Sequence, residues 1–124
     1  MDKTRIFIAG NVPSSKNSKQ WTGKFLVMSK TCKRYIKASE EEYMIKRRKF
    51  LSLLQGKEKP YKIGFYFIRD SKRKFDYINA AQLPLDLMQK YEWLEDDDCN
   101  NVVPVFLGHE VDKSKSGVLI KVLD

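Results

Sequence analysis

The sequence predicts an α+β fold, one mixed β-sheet with two main helices packed on it. Three observations carry this expectation. β-rich runs stand near the start, in the middle and at the end of the chain, and two segments between them have helical signatures. The 124 residues suit a single domain, 1–124, with one core and no room for a second. No internal repeat, low-complexity tract or linker divides the chain.

The run RIFIAG, Arg5 to Gly10, alternates as a strand does, and NVPSSKNSKQWTG after it is rich in turn formers, so a strand opens into a basic loop. KFLVMS and KRYIKA then read as two short strands around Lys30 to Cys32, forming a hairpin. In SEEEYMIKRRKFLSLLQG, Ser39 and Glu42 have capping-box spacing, acidic residues precede basic ones, and Gly56 supplies a stop. A helix is therefore predicted from Ser39. Tyr43, Phe50 and Leu54 give it one buried face, which turns Lys46, Arg47, Arg48 and Lys49 mostly to solvent.

After Pro60, YKIGFYFIRD sets Ile63, Phe65 and Phe67 on one side and Tyr66 and Ile68 on the other, the pattern of a central strand covered on both faces. The basic link SKRK leads to a helix from about Asp76 to at least Lys90. Pro84 inside it removes one backbone hydrogen bond, so a kinked helix or two segments meeting at Pro84 both fit. NVVPVFLGHEV, the turn DKSKSG and VLIKVLD close the chain as two strands, most simply a hairpin.

No apolar run nears the roughly eighteen residues that cross a membrane, and MDKTRIFIAGNVPSS lacks the apolar core and cleavage site of a signal peptide. A cytoplasmic protein with no membrane partner is expected. Cys32 and Cys99 lie far apart, with no CxxC pair and no histidine in zinc spacing, which points to two reduced thiols.

Charge is unevenly placed. Residues 1–75 hold twenty Lys and Arg against six Asp and Glu, while residues 76–124 hold four against ten. A basic body is the footprint of a polyanion, most often nucleic acid, and an acidic segment in such a chain repels that partner unless a cation neutralises it.

The acidic segment is KFDYINAAQLPLDLMQKYEWLEDDD, residues 74–98. Asp76 stands where a helix cap would accept first-turn N–H groups, and Asp96, Asp97 and Asp98 stand in a turn after the helix. Hard oxygen ligands of this kind suit magnesium, and a solvated loop is the competing reading of three consecutive aspartates. Asp86 lies roughly 15 Å along the helix axis from Asp76, too far to share an ion with it, whereas Asn79 is on nearly the same face. DDDCNNVVPVFL has neither the central glycine nor the closing glutamate of a calcium loop. His109, the one histidine, sits in a predicted strand and reads as structural, and no glycine-rich phosphate loop is present.

The order of GNVPSSKN, FDYIN, PLDLM and WLEDD resembles the RusA-type Holliday junction resolvases and their phage relatives, over residues 6 to about 105. In that family a basic Pro/Ser/Lys/Asn loop follows the first strand, an Asp-x-Asp-Asn motif opens a helix ending in Pro-Leu-Asp-x-Leu, and an Asp-Asp pair follows. The spacing from Pro84, Leu85 and Asp86 sets Asp76 on the first aspartate, Asn79 on the asparagine and Asp97 on the second residue of the pair. Two positions depart: the family's second aspartate falls on Ile78, and a basic residue four positions later falls on Gln82.

The resemblance implies a RusA-like fold and a homodimeric crossover junction endodeoxyribonuclease. Such an enzyme uses Mg2+ to cut Holliday junctions or other branched DNA, in recombination, repair or phage DNA processing. Asp76 and Asp97 take the catalytic places, and Asp76, Asn79, Asp97 and Asp98 the metal-binding ones. Asn79, Asp96 and Asp98 are candidates for the ligand that Ile78 does not supply. Lys16, Asn17, Lys19, Lys72, Arg73 and Lys74 are the expected DNA contacts, and Trp21 either stacks at a branch point or is buried. Two rivals remain: a junction-binding protein of the same fold that does not cut, and a basic adaptor for RNA or an acidic protein.

Overall fold

The structure, a computed structural model, describes residues 4–14, 19–21 and 26–124, with the backbone alone for 19–21 and 26–28. In chain order the elements are β1 (Arg5–Ala9), β2 (Lys19–Trp21), β3 (Leu26–Met28), α1 (Lys30–Leu53), β4 (Tyr61–Arg69), α2 (Tyr77–Lys90), β5 (Val102–Val111) and β6 (Gly117–Val122). Four strands form one mixed sheet in the order β1-β6-β4-β5, and β2 and β3 form a separate two-stranded ribbon. The α+β class and the two helices are as the sequence predicts.

β4 lies inside the sheet, antiparallel to β6 and parallel to β5. The last two strands are therefore not the expected hairpin, because β4 separates them. Their composition explains the arrangement. Val118, Ile120 and Val122 of β6 are buried and need neighbours on both sides, while β5 carries Pro104, which has no N–H for a ladder. A bulge in β5 sets Phe106 opposite Phe65 but Gly108 opposite Tyr66, and φ of 121° at Gly108 accommodates it. Both devices belong at a sheet edge. The connection from β5 to β6 crosses the end of β4, where the Asp112 N–H donates to the Arg69 carbonyl at 2.9 Å.

Ile6, Ile8, Ile63, Phe65, Phe67, Val118 and Ile120 form one core with Tyr35, Tyr43 and Phe50 of α1, with Ala80, Leu83, Leu87 and Met88 of α2, and with Trp93. The indole of Trp93 stacks on Phe50 at 4.8 Å and its N–H donates to the Tyr43 carbonyl, locking the turn after α2 onto α1. The other face of β4 is partly covered by the sheet's own side chains. Leu107 lies so close over Gly64 that an added Cβ would come within 2.6 Å of it. Ile68 is buried on this face and Tyr66 is half-buried, so the expected burial on both faces is met in part.

α1 begins nine residues before the expected start, and KRYIKA is helix rather than strand. Ser29 is the N-cap, accepting from the Cys32 N–H at 3.2 Å, and the buried residues Cys32, Tyr35, Ser39, Tyr43 and Phe50 recur at helical spacing. Ser39 is a buried mid-helix residue whose hydroxyl donates to the Tyr35 carbonyl at 2.7 Å. Glu42 accepts from the Ala9 N–H instead of closing a capping box. Three members of the basic run are also engaged: Lys46 donates to the Phe7 carbonyl, Arg47 to that of Glu92 and Lys49 to that of Arg5. α2 passes through Pro84 as one helix, with Asp76 as its N-cap residue. Among the described residues no helix is long and apolar enough to cross a membrane.

Candidate functional site

Several sequence-predicted residues gather where β4 ends. Arg69, its last residue, is 7% exposed; its guanidinium donates to the Val12 carbonyl at 2.5 Å, stands 3.4 Å from the Ser14 hydroxyl and lies 4.6 Å above the Phe75 ring. Burial pulls its pKa down, and the neighbouring Asp70 carboxylate opposes that shift. The Asn11 side chain accepts from the Asp70 N–H at 3.0 Å. Residues 11–14, which lead into Lys16 and Asn17, are thus tied to the end of β4. The one sequence signal for Arg69 was a cation following the apolar run Ile63 to Ile68.

Phe75 and Tyr77 clamp the start of α2 to the sheet. Phe75 packs edge-on against Phe67 at 5.9 Å and His109 at 5.0 Å. Tyr77 stacks on Phe106 at 5.5 Å, and its hydroxyl lies 2.8 Å from His109 Nδ1. Asp76 sits between them in extended backbone, φ −110° and ψ 123°, so its side chain leaves on the opposite side and is exposed. It makes none of the first-turn hydrogen bonds expected of a capping aspartate. Asn79 is half-buried one turn on, and Ile78 is 69% exposed.

The other acidic residues lie toward the far end of α2. The Asp97 N–H donates to Asp96 Oδ1 at 2.7 Å. The Asp97 carboxyl is pushed up in pKa, first by burial, then by its hydrogen bond with Asp96 and the charges of Asp86 and Asp96. Asp98 builds the turn into β5: its carbonyl accepts from the Asn101 and Val102 N–H groups, and its exposed carboxylate accepts from Asn101 Nδ2 at 2.6 Å. Asp76 follows the end of β4 while Asp97 and Asp98 precede the start of the parallel strand β5. The carboxylates acting on Asp97 are Asp86 and Asp96, and Asp76 is not among them. Asp86, absent from the sequence-derived site, accepts from Gln82 Nε2 at 2.9 Å, and its charge contributes to the shift of Asp97.

These residues fit magnesium in kind, since the ion takes one or two carboxylates and keeps several waters. Burial is the largest cause of the raised Asp97 carboxyl, and the charges of Asp86 and Asp96 add to it. The candidate ligands do not form one compact cage: among the described residues, no three His, Cys, Asp or Glu side chains are gathered as a metal would need.

Lys72, Arg73 and Lys74 are exposed on the link between β4 and α2. They leave from the same end of the sheet that anchors residues 11–14. Lys16 and Asn17 lie outside the described residues. Lys19 and Trp21 are in β2, Lys19 opposite Met28 and Trp21 opposite Leu26, with side chains outside the described set.

No model of a known protein family matches this chain, and no curated protein does. The likeness to the RusA resolvases rests on the motifs quoted above.

Proposed function

We propose that the protein is a magnesium-dependent, structure-selective endodeoxyribonuclease of the RusA kind, acting on four-way junctions or other branched DNA. The observation that carries this reading is the exposed carboxylate of Asp76 two residues after the exposed run of cations Lys72, Arg73 and Lys74, just past the end of β4. Arg69 and Asn11 tie residues 11–14 to the same end of β4, from which Lys72, Arg73 and Lys74 leave. Cations beside an exposed carboxylate can hold phosphates at an acidic centre that otherwise repels them.

In this reading Lys72, Arg73 and Lys74 grip the backbone of one arm, and the clamped Phe75 and Tyr77 keep Asp76 fixed while it is gripped. Asp76 and Asn79 at the start of α2, and Asp97 and Asp98 beyond its other end, are the residues that would hold magnesium. When bound, the ion polarises a phosphate and lowers the pKa of an attacking water. The resemblance also implies a homodimer; support comes from edge strand β5, which exposes Val103, Phe106, Leu107 and Val111.

A second reading, a junction-binding protein that does not cut, is favoured by two observations. The exposed Ile78 stands where the family has a carboxylate, and Asp76 precedes α2 while Asp97 and Asp98 follow it, with no group of three ligands among the described residues. Incubating the protein with a synthetic four-way junction and with linear duplex, with and without Mg2+, separates the readings. Magnesium-dependent cutting of the junction supports the nuclease, and selective binding without cutting supports the second reading. No preference for the branched substrate removes both.

A further inference from the structure

The cations of α1 have two different fates. In its C-terminal half Lys46, Arg47 and Lys49 donate to backbone carbonyls and hold the fold together. In its N-terminal half the side chains of Lys30, Lys33, Arg34 and Lys37 are exposed and make no ion pair or hydrogen bond with another described residue. At about 100° per residue, Lys30, Arg34 and Lys37 fall opposite the buried stripe of Cys32, Tyr35, Ser39, Tyr43 and Phe50, and Lys33 borders them.

Helix stability does not account for this placement. The N-terminal part of a helix favours anions, and α1 has no acidic residue in its first turn. The stripe from Lys30 to Lys37 is roughly 10 Å long, about the axial rise of three successive phosphates on one strand of a duplex. It contains no aromatic side chain on which an unpaired base could stack. Its start adjoins the two-stranded ribbon, where Lys19 lies opposite Met28, two residues before Lys30.

We propose that this stripe is a second phosphate-binding surface, which takes the backbone of a duplex DNA arm. The inference rests on the nucleic-acid reading above and extends it to a helix outside the acidic site. Because it touches phosphates alone, the surface adds affinity without regard to sequence or branching.

The test is a triple variant, Lys30→Gln, Arg34→Gln and Lys37→Gln, titrated with a four-way junction and with linear duplex at several salt concentrations. Its melting temperature is followed, and a Lys72→Gln, Arg73→Gln, Lys74→Gln variant is run beside it. The expected result is weaker binding of both DNAs by a similar factor. The log–log salt slope should be shallower by about 0.9 for each phosphate that the variant no longer neutralises, with melting unchanged or raised. Unchanged affinity and slope in the α1 variant overturn this surface, and weakening by the second variant then leaves the nucleic-acid reading standing. Wild-type protein that binds neither DNA overturns that reading and the surface with it.

Discussion

The Tyr77 hydroxyl lies 2.8 Å from Nδ1 of His109, joining the first residue of α2 to the edge strand β5. The pair bridges 32 residues of sequence and gives the one histidine a structural partner. Tyr77→Phe keeps the ring stack on Phe106 and loses the hydrogen bond, so it should cost about 1 kcal/mol in urea unfolding with the slope unchanged. Amide exchange should quicken in the first turn of α2 and stay as it was in α1.

Arg69 is a buried cation whose charge is met by a carbonyl, a hydroxyl and an aromatic face. Arg69→Met removes the charge but leaves the Val12 carbonyl without its donor, which should destabilise the protein by about 1–3 kcal/mol. DNA binding should weaken beyond the loss of one positive charge, because residues 11–14 lose their anchor. Arg69→Lys cannot span the same partners and should rescue poorly.

Tyr35 and Tyr43 bond hydroxyl to hydroxyl at 3.0 Å in the core, and burial pushes Tyr35 up to about 12 and Tyr43 well above its usual value. A phenol that is harder to ionise when folded stabilises the fold below its unfolded pKa near 10, and that contribution is lost as pH rises from there through 12. Unfolding free energy should fall across this window. Tyr35→Phe, having one phenol fewer to ionise, should show a shallower fall.

Ile78 at 69% exposure permits a direct test of the position where the family has an aspartate. Ile78→Asp buries no charge and should change stability by no more than about 0.5 kcal/mol. With Asp76 held in extended backbone before the helix, the two carboxylates can approach one ion. The variant should therefore gain cleavage or magnesium affinity; a folded variant with neither places residue 78 outside the site.

The sequence made α2 legible because its signals are local: Asp76 at the cap, apolar residues at helical spacing and Lys90 at the end. The start of α1 was misread for an equally local reason. Ser39 and Glu42 match a capping box, and Tyr35 and Ile36 favour strands, while the deciding features are Ser29 and the burial period from Cys32 to Phe50. The order of β5 and β6 depends on which strand can tolerate an edge, a property of the whole sheet. Arg69 was invisible as a site residue because its partner Val12 lies 57 positions away. Asp86 is too far along the helix to share an ion with Asp76, while its charge acts on Asp97, which follows the helix.

The measurement closest to the central claim is cleavage of a synthetic four-way junction by Asp97→Asn beside the wild type, in Mg2+, with binding and melting followed on the same samples. The account predicts a folded variant that binds the junction nearly as well as the wild type and cuts it roughly 100-fold more slowly or worse, since several kcal/mol of metal-derived stabilisation are lost. A folded, DNA-binding Asp97→Asn protein that cuts at the wild-type rate contradicts it.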